Sequence, residues 1–273
     1  MKNAEISAFF DPASFTLTYV VWNPSTRDAV IIDPVIDYDP ATQLTSQSSL
    51  GQLVHLVREK NLKVHWILDT HAHADHLTGS RQLRNALPGA LWGMGAALRE
   101  VFDTFQKVFA WPSTLKLENL GVDRWFRDGE EFSAGALRFS VISTPGHTPA
   151  CLTYRLGSWL FTGDALMMPD SGVGRCDFPG GSAGALYDSI RKLYAFPDDY
   201  EVFAGHDYQP GGRPLRYRST LGEQKWGNIH LKETTSRADF VAFREGRDKT
   251  LTPPRLLNPS LDWNLGAHQI VRI

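Results

Sequence analysis

The stretch Thr70-His71-Ala72-His73-Ala74-Asp75-His76 places three imidazoles and a carboxylate in one short run. Just before it, Lys63 to Leu68 reads as a buried strand that ends at Asp69-Thr70, so the run begins where a strand stops. Histidines at i and i+2 after a strand can turn toward one centre. Imidazoles packed beside a carboxylate are unfavourable unless a cation binds them, so the run predicts a metal rather than a merely solvated polar loop.

Three distant segments each put one further donor at the end of a predicted strand: Thr144-Pro145-Gly146-His147-Thr148, Phe161-Thr162-Gly163-Asp164 and Ala204-Gly205-His206-Asp207. Alone each is weak, because a lone histidine is usually an ordinary residue and Gly-Asp is usually a turn. In this order, together, they are specific.

Between these segments helix and sheet alternate. Phe15 to Trp22 and Ala29 to Asp33 flank a turn at Asn23-Pro24-Ser25 and read as a hairpin. Helical spacing runs over Ser48 to Glu59, Leu77 to Leu87, Gly95 to Phe109 and Gly184 to Phe196. Strands are expected over Arg124 to Thr144, Cys151 to Gly163 and Tyr200 to Ala204, broken at Asp128-Gly129 and Gly157-Ser158. A polar tail from Arg218 to Lys249 has helical spacing and leads into an irregular end at Pro253-Pro254.

The 273 residues are 42% hydrophobic and 21% charged, enough for one large core, and no linker or repeat divides them. A single domain over 1–273 is expected, with a core of about 7–210 and a helical C-terminal extension over 211–273. A net charge of -2 from an even mix of signs predicts neither nucleic acid nor a membrane surface as partner. The Met1-Lys2-Asn3-Ala4-Glu5 start has no secretory signature, and no apolar run approaches a transmembrane length, so a cytoplasmic protein is expected. Cys151 and Cys176 make no metal or disulfide pattern and read as packed thiols.

The order H-x-H-x-D-H, Gly-His, Gly-Asp, Gly-His resembles the ligand order of the metallo-β-lactamase superfamily over roughly residues 15 to 210. The resemblance implies an α/β fold, a four-layer αβ/βα sandwich with the metal site along the edge between its sheets. By chemistry alone the seven donors His71, His73, Asp75, His76, His147, Asp164 and His206 could hold two zinc ions, with Asp164 bridging, as in a hydrolase. They could also hold a single iron(II) on His71, His147 and Asp164, a facial triad of two histidines and a carboxylate. Ligand count leaves both open.

The flanks are more particular. The continuation His76-Leu77-Thr78-Gly79-Ser80, the segment Gly172-Val173-Gly174-Arg175-Cys176-Asp177-Phe178 and the run Gly205-His206-Asp207-Tyr208 are similar to the persulfide dioxygenases of this superfamily. Glyoxalase II typically has a Gly pair after its motif and aromatics after its Gly-Arg.

That resemblance implies oxidation of glutathione persulfide by O2 and water to sulfite and glutathione, with one Fe(II) per chain on His71, His147 and Asp164. It makes His73, Asp75, His76 and His206 catalytic neighbours that hydrogen-bond the ligands. Glutathione carries carboxylates, so Arg175 is expected to bind substrate, with an ion pair to Asp177 as the competing role; Asp207 and Tyr208 are further substrate candidates. A rhodanese-type sulfurtransferase is the partner the family suggests, and a homodimer is compatible with the chain. Coenzyme A persulfide stays open as substrate. The alternatives are a dinuclear zinc thioester hydrolase and a non-catalytic metal-binding or redox-sensing module. Arg213, Arg216 and Arg218 read as solvated surface, Trp111, Trp125 and Phe126 as packing, and His65, His230 and His268 as ordinary histidines.

Overall fold

The computed structural model describes residues 4–267. The chain starts with β1 (Glu5–Asp11), β2 (Thr16–Trp22) and β3 (Asp28–Ile32), followed by a small ribbon of β4 (Val35–Asp39) and β5 (Leu44–Ser46). Helix α1 (Ser48–Glu59) then leads to β6 (Lys63–Leu68), β7 (Leu77–Thr78) and α2 (Ser80–Ala86). After these come β8 (Leu91–Gly95), α3 (Leu98–Val108) and β9 (Arg124–Phe126). The second half is β10 (Glu131–Ala134), β11 (Leu137–Ser143), β12 (Leu152–Leu156), β13 (Trp159–Gly163), α4 (Ala183–Tyr194), β14 (Glu201–Ala204) and β15 (Arg218–Thr220). Three helices close the chain: α5 (Leu221–Gly227), α6 (Arg237–Asp248) and α7 (Leu257–Asn264).

Two six-stranded sheets result, ordered β1-β2-β3-β6-β8-β9 and β10-β11-β12-β13-β14-β15. Their inner faces meet through Leu17, Tyr19, Val30, Ile32 and Leu68 on one side and Phe139, Val141, Tyr154, Phe161 and Phe203 on the other. The alternation along each strand sends the remaining apolar side chains outward to helices. Val20, Ile31 and Ile67 pack with Leu50, Leu53 and Val57 of α1, whereas Leu160 and Val202 pack with Leu186, Ile190 and Leu193 of α4. Helix, sheet, sheet and helix therefore form the four-layer αβ/βα sandwich that the motif order implied.

The β2–β3 hairpin, α1, β6 and α4 fall where the sequence pattern put them, within two or three residues. The pattern missed β1, the β4–β5 ribbon and β8. It also read Leu77 onward as helix, where a two-residue strand precedes α2, and it gave no helix after Pro253-Pro254, where α7 forms. Among the described residues, no helix is long and apolar enough to cross a membrane.

The two sheets are joined at the edge that carries the donors. Leu17 N–H donates to Gly205 O (2.8 Å), Asp207 N–H to Phe15 O (3.1 Å) and Leu152 N–H to Thr70 O (2.9 Å). Two buried tyrosines reinforce the seam: Tyr19 OH donates to Ala204 O (2.7 Å) and Tyr154 OH to Asp69 O (3.0 Å). Gly163 makes the approach possible, because its φ of +51° favours glycine and a Cβ there would lie 2.4 Å from Thr70 Oγ1.

Candidate metal centre

All seven donors come together at this edge. His71, His73, Asp75 and His76 follow β6, His147 lies between β11 and β12, Asp164 follows β13 and His206 follows β14. Their donor atoms fall into two groups, His71, His147 and Asp164 in one and His73, Asp75, His76 and His206 in the other; within each, all lie within 4.8 Å of one another. His147 Nε2 is 3.6 Å and His71 Nε2 3.9 Å from Asp164 Oδ2, while His206 Nε2 is 3.2 Å from Asp164 Oδ1 and 3.3 Å from Asp75 Oδ2.

Hydrogen bonds behind the rings fix which nitrogen faces the centre. Thr70 OH donates to Asp33 Oδ2 (2.9 Å), so Thr70 Oγ1 accepts from His71 Nδ1–H at 3.0 Å and His71 Nε2 keeps its lone pair. His147 Nδ1–H donates to Arg175 O (2.7 Å), again leaving Nε2 free. His73 is turned the other way: Nε2–H donates to Asp33 Oδ1 (3.1 Å), leaving Nδ1.

These free atoms are a test of whether a metal fits. His71 Nε2, His73 Nδ1, Asp75 Oδ2, His76 Nε2, Asp164 Oδ1 and His206 Nε2 are all buried without a hydrogen-bond partner. Buried acceptors without partners are strongly unfavourable, and so many converging on one spot match a bound cation. Burial, with neighbouring imidazoles, also pushes His71 and His73 well below the usual histidine range, so both are neutral, the form that ligates metal. The donor set thus fits a metal cofactor.

Sequence reasoning missed the partners behind the ligands. Asp33 accepts from Thr70 N–H (2.7 Å), Thr70 OH and His73. Thr16 Oγ1 lies 3.2 Å from His76 Nδ1 and 3.4 Å from His206 Nδ1. Asn264, on α7, donates from Nδ2 to the carbonyls of His73 (2.7 Å) and His76 (2.9 Å) and accepts Thr78 N–H (2.8 Å), locking the motif's backbone. Asp33 was the one with a signal, a carboxylate that ends the apolar run Val30-Ile31-Ile32.

A cavity of about 540 Å³ opens on the donors, with Asp75, His147 and Asp164 in its lining beside Phe15, Phe178 and Tyr208. Of the substrate candidates, Arg175 and Tyr208 line it. The Arg175 guanidinium grips Asp177 with two bonds of 2.6 Å and donates to Thr252 O (2.8 Å), and Tyr208 stacks on His206 with ring centroids 5.6 Å apart. Asp207 is not in the lining: it is fully buried, and its oxygens accept from Arg213 (2.6 and 2.8 Å) and from the N–H groups of Gln209 and Arg216. The geometry gives it the task of holding Arg213 and the turn after His206. Arg213, which also grips Asp170, is correspondingly an internal ion-pair residue and not solvated surface.

His65 pairs with Asp28 (2.6 Å), while His230 lines the cavity and His268 lies outside the described residues. Phe126 is core, and Trp111 and Trp125 pack against the α3 cluster. Burial pushes the Cys151 thiol up to about 12 and Cys176 also upward, as expected of packed thiols.

The model of the metallo-β-lactamase superfamily matches residues 11–206. A "Beta-lactamase hydrolase-like protein" of Agrobacterium fabrum is 44% identical over 260 residues, covering 95% of this chain and 60% of its own length. The chain spans about three fifths of that relative and of two similar ones from Xylella fastidiosa. The human persulfide dioxygenase ETHE1 is 34% identical over 258 residues, with 89% of this chain and 88% of that protein aligned. Among solved structures, ETHE1 from Myxococcus xanthus superposes with a TM-score of 0.76 at 31% identity, covering 96% of this chain and 99% of its own.

Proposed function

The chain belongs to the metallo-β-lactamase superfamily, and from that premise we propose that it is a persulfide dioxygenase with one iron(II) held by His71, His147 and Asp164. Glutathione persulfide, O2 and water would give sulfite and glutathione: the outer sulfur is oxidised, O2 is the oxidant, and water supplies the third oxygen. The observation that carries the reading is the separate grouping of two imidazoles and one carboxylate beside an open cavity. That donor set suits non-haem iron, with positions left for O2 and substrate. The 34% identity to a persulfide dioxygenase over most of both chains supports it.

Iron bound there supplies the redox chemistry and a positive charge for an anionic sulfur. The chain's own residues do the rest. Asp33 with Thr70, and the Arg175 carbonyl, hold the His71 and His147 rings in the ligating tautomer. His206 Nε2 lies 3.2 Å from Asp164 Oδ1 and 3.3 Å from Asp75 Oδ2, and the charges of Asp164, Asp75 and Asp33 raise the imidazole against the opposing effect of burial. Phe15, Phe178 and Tyr208 keep bulk water from the sulfur and Tyr208 positions the thiol portion of the substrate, while Arg175, its guanidinium taken up by Asp177 and Thr252 O, shapes the wall beside them. A rhodanese-type sulfurtransferase is the class of partner that would supply the persulfide.

A second reading has its own observation: His73 Nδ1, Asp75 Oδ2, His76 Nε2 and His206 Nε2 are also without partners and close enough to share an ion. Two metals there would make a hydrolase. Metal analysis after anaerobic purification, with an oxygen-electrode trace on glutathione persulfide, separates the two. One iron per chain with oxygen uptake supports the dioxygenase; two metals with S-lactoylglutathione hydrolysis and no oxygen uptake overturns it.

A further inference from the structure

The cavity is uneven in charge. Donor residues Asp75, His147 and Asp164 line one part, and the C-terminal extension lines another with Arg244, Arg247 and Arg255. Asp170, the remaining acid in the lining, is taken up by Arg213. Among the described residues, Arg247 and Arg255 make no ion pair.

Two exposed arginines alone would be a solvated surface. Arg244 makes the difference, because it is 1% exposed and its needs are only partly met. One amino group pairs with Asp248, the other reaches Val173 O at 3.3 Å, and Nε–H has no acceptor. A buried guanidinium donor without an acceptor, in the wall of a cavity, is one that a ligand can satisfy. Beside it His230 accepts Val173 N–H at Nδ1 (3.1 Å), which leaves Nε2 as its protonated nitrogen. Burial, then Arg244 and Arg247, push His230 down to about 4, so it is neutral and adds a donor to a wall that is net positive.

We propose that Arg244, Arg247 and Arg255 form an anion subsite that receives the acidic group a thiol substrate carries at the end away from its sulfur. The proposal rests on the cavity being where a thiol-derived substrate meets the metal. A carboxylate, as in glutathione, and a phosphate, as in coenzyme A, offer the same acceptor oxygens, and a guanidinium takes either with paired hydrogen bonds. The subsite would select acidic thiols over neutral or cationic ones without any change at the metal donors.

Calorimetric titration of the full chain, metal-loaded and metal-free, with glutathione, coenzyme A and cysteamine tests this. Cysteamine keeps the thiol and lacks an acidic group. In the double variant Arg247→Ala/Arg255→Ala the Kd for one acidic thiol rises about tenfold, the charge-assisted bonds being lost, and its salt dependence flattens; the cysteamine Kd changes by less than about twofold. A loss confined to glutathione identifies the carboxylate as ligand, and one confined to coenzyme A the phosphate. Arg244→Lys, which keeps the charge and removes Nε–H, weakens the same thiol. The double variant tests the subsite even if Arg244→Lys does not fold. Changes below about threefold for both acidic thiols, or an equal loss for cysteamine, overturn the subsite. If acidic thiols bind as expected but the iron-loaded chain takes up no oxygen, the subsite stands and the dioxygenase falls; oxygen uptake with unchanged binding in the variant gives the reverse.

Discussion

Replacing Asp33 by asparagine tests the relay behind His71. In the native chain Asp33 Oδ2 accepts the Thr70 hydroxyl, which in turn accepts His71 Nδ1–H. An amide with its oxygen toward Thr70 N–H, 2.7 Å away in the native chain, presents NH2 to that hydroxyl. The hydroxyl then accepts from the amide and donates to His71 Nδ1, and the imidazole proton moves to Nε2, the ligating atom. Metal binding must reverse this, and partners of this kind change metal affinity about 10–100-fold, about 1.4–2.7 kcal/mol.

The metal-free protein responds in the opposite sense. Burial raises the Asp33 carboxyl from 3.8 to about 6, against the opposing bonds from Thr70. A raised folded pKa means its contribution is fully present below the unfolded value and is lost as pH rises through about 6. At pH 7 the ionised group destabilises the metal-free fold by about 3 kcal/mol. Asparagine carries no charge and removes that effect. Asp33→Asn therefore weakens metal binding, read by anaerobic competition with a chromogenic chelator, while the chelator-stripped protein melts no lower than wild type. Metal affinity within about twofold of wild type, or a lower melting temperature without metal, refutes the relay.

Gly163→Ala puts a Cβ against Thr70 at a left-handed φ, and chemical denaturation should show a loss of about 3 kcal/mol or more, strain and overlap combined. Arg213→Met strands the fully buried Asp207 carboxylate and should lower stability by about 3–5 kcal/mol; adding Asp207→Asn recovers part of it if the pair is the cause. His230 is depressed to about 4, so its neutral form stabilises the fold above 6.5 and that contribution is lost as pH falls toward 4. With solvent screening the loss is about 1 kcal/mol, and His230→Asn should flatten the stability profile over that window without changing it at pH 8.

All seven donors were legible because they repeat a simple relation: a strand's apolar run ends and a donor follows; the sandwich was implied by the resemblance of their order to the superfamily and not by the strand pattern itself. Strand ends gather at one edge, so segments far apart in sequence could be assigned to one site. What supports the donors had no such signal. Asn264 reaches the motif from 188 and 191 residues away, and no local period marks an asparagine on a short helix as a backbone clamp. β1 and β8 were missed for a related reason. The Glu5–Asp11 strand is partly exposed throughout and does not alternate, and the strand Leu91–Gly95 carries two glycines, which local preference disfavours. Arg213 looked like surface charge because nothing local shows that Asp207, six residues before it, is buried, and its other partner Asp170 lies 43 residues upstream.

The seam between the sheets sets an order on folding. Thr16 reaches His206 across 190 residues, and the Tyr19 hydroxyl reaches Ala204 across 185. Contacts of such long sequence separation are slow to form, which predicts that the edge joins late in folding. Until it joins, the histidines of the first half and His147, Asp164 and His206 of the second have no common centre. A metal ion that enters afterwards bridges both halves and slows their separation. Loss of metal should therefore shorten the lifetime of the folded chain more than it alters the structure of either half.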